Sequence, residues 1–366
     1  GLSPSTKYQF QVRAYNGTSS LGSNVLEAET APEDPFFEPN YFKAMNLGGA
    51  SKSILVAWED STEIFLNDAT SIVLNAAETY EFDSNLGDVL KSEKFFFVSG
   101  RLTNGSAGNN DVSRNANIVW SSPDWAGKDF LFTGTRNADH RVSVYSFEDS
   151  SVELFDGDSL IEQINLNAGD FHQFSISYHG GFQIKSDKLI LAYMYSGGDE
   201  YAIDPKPLLP ASFDILGIPS RSVKITTSSN TATANLYHSD SFTSQLQLAA
   251  GSEKSVNGRG VIGLYKENAL RIRSTEELVA NSNADANGYC SAPFVPTSLL
   301  KKKFIVNAKI DFIAFASLQA GDITVELPDG STSLIPLERT GDEAFAPFKA
   351  RTSGVPAGTK FYSSTR

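Results

Sequence analysis

From residue 51 onward, apolar and polar positions alternate with the two-residue period of a β-strand, and turns cut each alternating run. Residues 53–58 form an apolar run the length of one buried strand. Residues 63–66 and 71–74 flank Asn67-Asp68-Ala69 as a hairpin, and residues 95–98 close a first unit. A second unit repeats the design around Asp156-Gly157-Asp158, where Asp-Gly supplies the positive φ angles of a tight hairpin turn. Its later strands are residues 182–184 and 189–195. A third unit carries strand patterns at residues 223–225, 232–237, 246–248, 261–265 and 270–272. A fourth has residues 312–316, 323–327 and 334–337, with the turn Pro328-Asp329-Gly330 before the last of these. No window of a dozen residues holds the 3.6-residue period of an amphipathic helix. The pattern predicts an all-β chain of β-sandwich domains in tandem.

Two short signatures recur with the strands. A small-residue turn appears as Leu74-Asn75-Ala76-Ala77, Leu166-Asn167-Ala168-Gly169, Leu248-Ala249-Ala250-Gly251 and Val355-Pro356-Ala357-Gly358. These end at positions 77, 169, 251 and 358, intervals of 92, 82 and 107 residues, the size of a small sandwich. A basic turn follows the first three and starts a new strand: Lys91-Ser92-Glu93-Lys94, Lys185-Ser186-Asp187-Lys188 and Arg273-Ser274-Thr275-Glu276. By this spacing the fourth basic turn and its strand fall past Arg366. Units are expected at 51–125, 126–215, 216–300 and 301–366, the last incomplete, after a linker at 31–50.

Composition narrows the function classes. The chain has 366 residues, a formal net charge of −13 and a pI near 4.8. Nucleic-acid binding needs a basic stripe, and the one dense basic run, Lys301-Lys302-Lys303, reads as a solvated strand entry. Cys290 is the single cysteine, so no disulfide can form within the chain. No apolar run reaches the roughly 18 residues of a membrane-spanning helix, so no membrane insertion is expected. No nucleophile elbow, zinc motif or P-loop is present, and the reading is non-enzymatic.

Leu2-Ser3-Pro4-Ser5-Thr6-Lys7-Tyr8 and the alternation Tyr8, Phe10, Val12, Ala14 resemble the last third of a fibronectin type III domain. The likeness covers about residues 1–30, makes Tyr8 a tyrosine corner, and implies a partial domain at this end of the chain as well. Downstream, Pro207-Leu208-Leu209-Pro210-Ala211-Ser212 and Pro293-Phe294-Val295-Pro296-Thr297-Ser298 each follow an oxygen-rich loop. That arrangement resembles bacterial surface proteins related to the N-terminal domain of IgGFc-binding protein, whose units are β-sandwiches. The resemblance implies an extracellular or cell-surface protein.

Three sets of residues are candidate sites. Asn281, Asn283, Asp285 and Asn287 place side-chain oxygens at alternate residues, as calcium loops do, or as a solvated turn with Asx hydrogen bonds does. Phe294 stands where an EF-hand needs glutamate, so calcium, if bound, would be held by another kind of loop. Asn16 and Asn104 open glycosylation sequons. Trp120, Asp124 and Trp125 could stack and hydrogen-bond a sugar, or the tryptophans could fill a core. Two functions compete. One is an extracellular structural or adhesive repeat module that assembles into a filament, sheath or fibre by strand exchange between copies. The other is a carbohydrate-binding or phage-tail-type accessory module attached to a functional head elsewhere. Expected partners are other copies, neighbouring domains and surface glycans.

Overall fold

A computed structural model describes residues 7–10, 13–15, 20–22, 26–29, 42–47, 51–102, 120–133, 139–176, 181–197, 206–219, 222–227, 230–239, 243–257, 268–283, 291–339 and 344–363. Residues 1–41 and 42–366 form two separate units. In the smaller, β1 (Lys7–Phe10), β2 (Arg13–Tyr15), β3 (Ser20–Gly22) and β4 (Leu26–Glu29) pair antiparallel, β1 with β4 and β2 with β3. Side chains here, the expected corner residue Tyr8 included, lie outside the described residues.

The larger unit is a set of four sandwiches. The first holds β5 (Phe42–Asn46), β6 (Ser51–Ala57), β7 (Thr62–Leu66), β8 (Thr70–Leu74), β9 (Thr79–Ser84), β10 (Val89–Ser92) and β11 (Phe96–Leu102). One sheet runs β5-β10-β7-β8 and the other β11-β6-β9. Alternate side chains of both sheets meet in a core that includes Leu55, Ile64, Leu74, Leu90 and Val98. A short strand, β12 (Trp120–Ser121), extends the first sheet beside β5. Residues 42–46 were expected inside a linker, yet β5 pairs on both sides. Its apolar residues Ala44 and Met45 are buried.

The second sandwich holds β13 (Gly127–Thr133), β14 (Asp139–Ser146), β15 (Ser150–Asp156), β16 (Ser159–Leu166), β17 (Phe171–Ile176) and the long β18 (Gly181–Gly197), with β19 (Lys206–Pro207) at its margin. The third holds β20 (Ser212–Gly217), β21 (Ser222–Thr227), β22 (Ala232–His238), β23 (Thr243–Leu248), β24 (Glu253–Asn257) and the long β25 (Leu270–Asn283). It is trimmed by β26 (Ser291–Pro293) and β27 (Val295–Pro296). The strand order is that of the first sandwich. The early half of β18 pairs with β13 and β15, and its later half pairs with β14. The early half of β25 pairs with β20 and β22, and its later half with β21. Each long strand therefore does the work of β10 and β11 together, crossing from one sheet to the other. This corrects the expected basic turns at Lys185–Lys188 and Arg273–Glu276, which are corners within continuous strands. Only the first breaks the strand, over residues 93–95.

The fourth sandwich holds β28 (Lys303–Ile305), β29 (Ile310–Ser317), β30 (Gly321–Glu326), β31 (Thr332–Leu337), β32 (Phe348–Val355) and β33 (Lys360–Ser363). Its sheets run β28-β33-β30-β31 and β29-β32. These are the orders of the first sandwich without a strand in the position of β11.

The four sandwiches close on themselves. Residues of β13 lie beside β21 and β25, joining the second to the third. A Cβ on Gly87 would lie 3.3 Å from the Phe171 ring, which marks the contact of first and second. Phe345 of the fourth meets the third, its ring 5.5 Å from Tyr237 with the Arg273 guanidinium 4.2 Å above it. The fourth also reaches the first. Asn307 Nδ2 donates to Ile54 O at 2.6 Å and to Ser99 Oγ at 2.8 Å. The rings of Trp58 and Tyr362 are 5.9 Å apart, and the Lys303 and Lys360 ammonium groups sit 5.3 and 5.5 Å from the Trp58 ring. A series of sandwiches joined end to end would have no such return contact.

Candidate functional site

The feature that sets the fourth sandwich apart is the edge of β29. In the first three sandwiches the second strand has a partner on each side: β6 between β11 and β9, β14 between β18 and β17, β21 between β25 and β24. Among the described residues β29 pairs with β32 alone. A strand edge of this kind presents a row of backbone N–H and C=O groups able to take another strand.

The side chains follow the backbone. Inward positions of the second strand are Ser53 and Leu55 in the first sandwich, Val142 and Val144 in the second, Val223 and Ile225 in the third, all fully buried. Their counterparts in the fourth are Ile313, half-buried, and Phe315, 7% exposed. Phe312, on the outer face, is 43% exposed. Beside the edge lies a small open cleft of about 60 Å³, lined by Phe304, Phe315, Ile323, Leu337 and Tyr362 together with Lys301 and Lys302. Phe304 and Phe315 rest on the buried ring of Phe361, the first stacked at 5.0 Å and the second tilted at 5.1 Å, which fixes the apolar lining of the cleft.

The residues expected to bind sugar do not act together. Trp120 is 2% exposed in the first core, its indole N–H donates to Ser53 Oγ at 2.9 Å, and its ring meets Phe82. With its N–H satisfied and both faces packed, it cannot present a surface to a ligand. Asp124 and Trp125 lie on a single 3-10 turn, Pro123–Trp125, between the first and second sandwiches. The Asp124 carboxylate there pairs with the Lys301 ammonium rather than joining a sugar site with Trp120. Of the calcium set, Asn281 is buried in β25, in register between Lys224 of β21 and Pro293 of β26. Asn283 ends that strand, and Asp285 and Asn287 lie outside the described residues, as do Asn16 and Asn104. No group of three His, Cys, Asp or Glu side chains is placed to hold a metal among the described residues.

One cluster of carboxylates was not anticipated. Asp129 on β13 accepts from Gln183 Nε2 at 2.7 and 2.8 Å, and burial raises its pKa. Glu277 on β25 is raised as well, first by burial and then by the Asp129 charge. The two sit where the second and third sandwiches meet. They are 148 residues apart in the chain, positions 129 and 277, so no local pattern announces them.

No family model, no curated protein and no solved structure matches this chain. No helix among the described residues is long and apolar enough to cross a membrane.

Proposed function

We propose that the chain is a structural or adhesive module of a large extracellular or cell-surface protein. The observation that carries this reading is the use of one strand order four times, in sandwiches that pack back onto one another into a block. Repetition of a small sandwich is economical for making surface, because each core is small and outer loops vary freely around it. The closed packing favours a bulky block over a flexible string of beads. The likeness to fibronectin type III domains and to the IgGFc-binding surface proteins belongs to this reading. So does assembly between copies by strand exchange, for which the β29 edge offers an acceptor.

The rival reading, a carbohydrate-binding accessory module, loses support with the burial of Trp120. Two measurements separate them. Antibodies against residues 42–366 should label intact, unpermeabilised cells that make the protein, and a glycan array should stay silent. Labelling only after permeabilisation defeats the surface reading. Glycan binding that Trp125→Ala abolishes would favour the rival.

A further inference from the structure

We infer that β8 pairs edge to edge with β8 of a second copy of this chain, joining the two five-stranded sheets into one. Among the described residues, the fourth strand of every sandwich ends its sheet: β8, β16, β23 and β31. A strand edge recruits other strands unless something on it forbids the contact. Three of the four carry such a guard. β16 holds a carboxylate, Glu162, which would meet its own kind in a symmetric pair. On β23 the Lys254 ammonium donates to Gln247 O at 3.5 Å and keeps a positive charge there. β31 contains Pro336, which has no N–H to give. β8, Thr70-Ser71-Ile72-Val73-Leu74, has none of these. No charged residue stands between Asp68 and Glu78. Among the described residues β8 pairs with β7 alone.

The side chains of β8 suit a copy of the same strand. Val73 is 60% exposed on the outer face with Ser71 beside it, while Ile72 and Leu74 turn into the core. A two-fold pair centred on Ile72 sets Ser71 opposite Val73 of the copy and Thr70 opposite Leu74. All five residues are then paired, and each stays on the face it already occupies, because side chains alternate with a period of two. Thr70, Ile72 and Val73 are β-branched, the class that packs best across a strand pair. Self-pairing also requires a chain of net charge −13 to approach itself where it carries no charge. The neighbouring outward carboxylate, Glu63, stands opposite Val73 on β7. In the pair the two Glu63 side chains lie three strand spacings apart, about 14 Å, beyond the ~8 Å screening length of physiological salt. The pairing goes beyond the module reading above and rests on it only for what such an assembly is for.

Hydrogen exchange over residues 70–74 of the intact protein, read beside sedimentation velocity, tests the contact. As concentration rises about a hundredfold and dimers form, exchange there should slow at least about tenfold, while residues 332–337 of β31 keep their rate. Added salt should strengthen the dimer, since it screens the repulsion between acidic chains and leaves a neutral contact untouched. Val73→Lys puts a charge on the edge at an exposed position, so the melting temperature should hold while the dimer weakens at least about tenfold. Leu334→Lys, at a similarly exposed position of β31, should leave the dimer unchanged. Protein that stays monomeric overturns the inference. So do dimers that form without slowing residues 70–74, that salt dissolves, or that ignore Val73→Lys or respond as strongly to Leu334→Lys. Exchange at residues 70–74 that is slow at every concentration overturns it too, because another segment of the same chain would then cover β8. Location enters none of these tests: an intracellular protein would defeat the surface reading and leave the pairing in place, and a monomer would defeat the pairing alone.

Discussion

The first and fourth sandwiches are the same construction at two stages of closure. Strand for strand they correspond, β5 through β10 with β28 through β33, down to the order within each sheet. In the first, β11 covers the edge of β6, and Leu55, Val56 and Ala57 are wholly out of solvent. In the fourth, β29 pairs among the described residues with β32 alone, and a cleft lined in part by aromatic rings lies beside it. The difference teaches what the seventh strand does. It adds little to sheet connectivity, since six strands already pair in the right order. Its contribution is the last wall of the core, which takes the remaining partly exposed apolar side chains out of solvent.

Matched core truncations probe that contrast most strongly. Leu55→Ala should cost about 2–5 kcal/mol, because it removes contacts on every side of a fully enclosed group. Phe315→Ala removes a larger side chain, which in a closed core costs about 3–5 kcal/mol. Beside the cleft, Phe315 has a paired strand on one side only among the described residues, so the cost should fall below that of Leu55→Ala. Urea midpoints of the two variants decide it. A larger loss for Phe315→Ala would mean the fourth core is as closed as the first.

The contact between the two sandwiches can be opened separately. Gly358 has φ +82°, and a Cβ there would stand 2.7 Å from Ala77 Cβ and 2.9 Å from its carbonyl oxygen. Gly330 has nearly the same φ, +81°, with open space around it. Gly330→Ala should cost only the strain of the left-handed conformation, about 1–2 kcal/mol. Gly358→Ala carries that strain plus displacement of a backbone neighbour, a further 1–3 kcal/mol or so. Equal thermal shifts in the two variants would show that first and fourth sandwiches do not bear on each other through this turn.

Gly358 also marks where sequence reading succeeded and where it slipped. The repeated small-residue turn was a real signal. Ala77, Gly169 and Gly251 have φ of +64°, +86° and +61°, and each joins the fourth strand of its sandwich to the fifth. The fourth copy, ending at Gly358, joins the fifth strand to the sixth instead. Its N–H donates to Val306 O, as that of Gly87 does to Asn46 O, so Gly87 is its true counterpart. Small residues report a need for positive φ, and any tight return between strands has that need. They do not report which return it is. The three basic corners were visible as a motif, but their role as crossings inside one strand needed the pairing partners of β18 and β25. Tyr362-Ser363 escaped notice because tyrosine stands where the other three corners carry a basic residue. Trp120 near Asp124 looked like a sugar platform because a packed indole and an exposed one carry the same letter. β5 hid because five residues between turn-rich flanks carry too little periodicity. The return of the fourth sandwich to the first depends on single side chains such as Asn307 and Trp58, which leave no periodic trace.

Asn307→Ala gives a smaller effect on the same contact. The amide bridges Ile54 O and Ser99 Oγ, a backbone acceptor on β6 and a side chain on β11. Losing both bonds in a partly buried site should cost about 1–3 kcal/mol. Asn307→Asp should be at least as harmful, since a carboxylate cannot donate to Ile54 O. A neutral result for both, read by thermal unfolding, would assign the closure to the Trp58–Tyr362 contact with its flanking lysines instead.

The smallest expected effect serves as the control, because it acts where the second and third sandwiches meet and should leave first and fourth alike. Asp129 and Glu277 both have folded-state pKa values above their ordinary values of 3.8 and 4.5, chiefly through burial, with each other's charge adding at Glu277. A carboxyl whose pKa is raised on folding holds its proton longer in the native state than in the unfolded one. Its contribution is therefore most favourable below the unfolded pKa and is lost as pH rises through the folded pKa. Stability should accordingly fall as pH climbs from about 4 toward neutrality. Glu277→Gln removes one charge of the pair, so it should raise the melting temperature slightly at pH 7 and flatten that slope. The side chain is partly open to water, which screens the repulsion and keeps the gain small. A melting curve at pH 7 that drops in Glu277→Gln, or a pH slope unchanged from the parent, would place a compensating cation beside Glu277 in the folded protein. The hydrogen exchange of β6 and β29 should not respond to this substitution at all, and a response in either would couple the two contacts across the whole block.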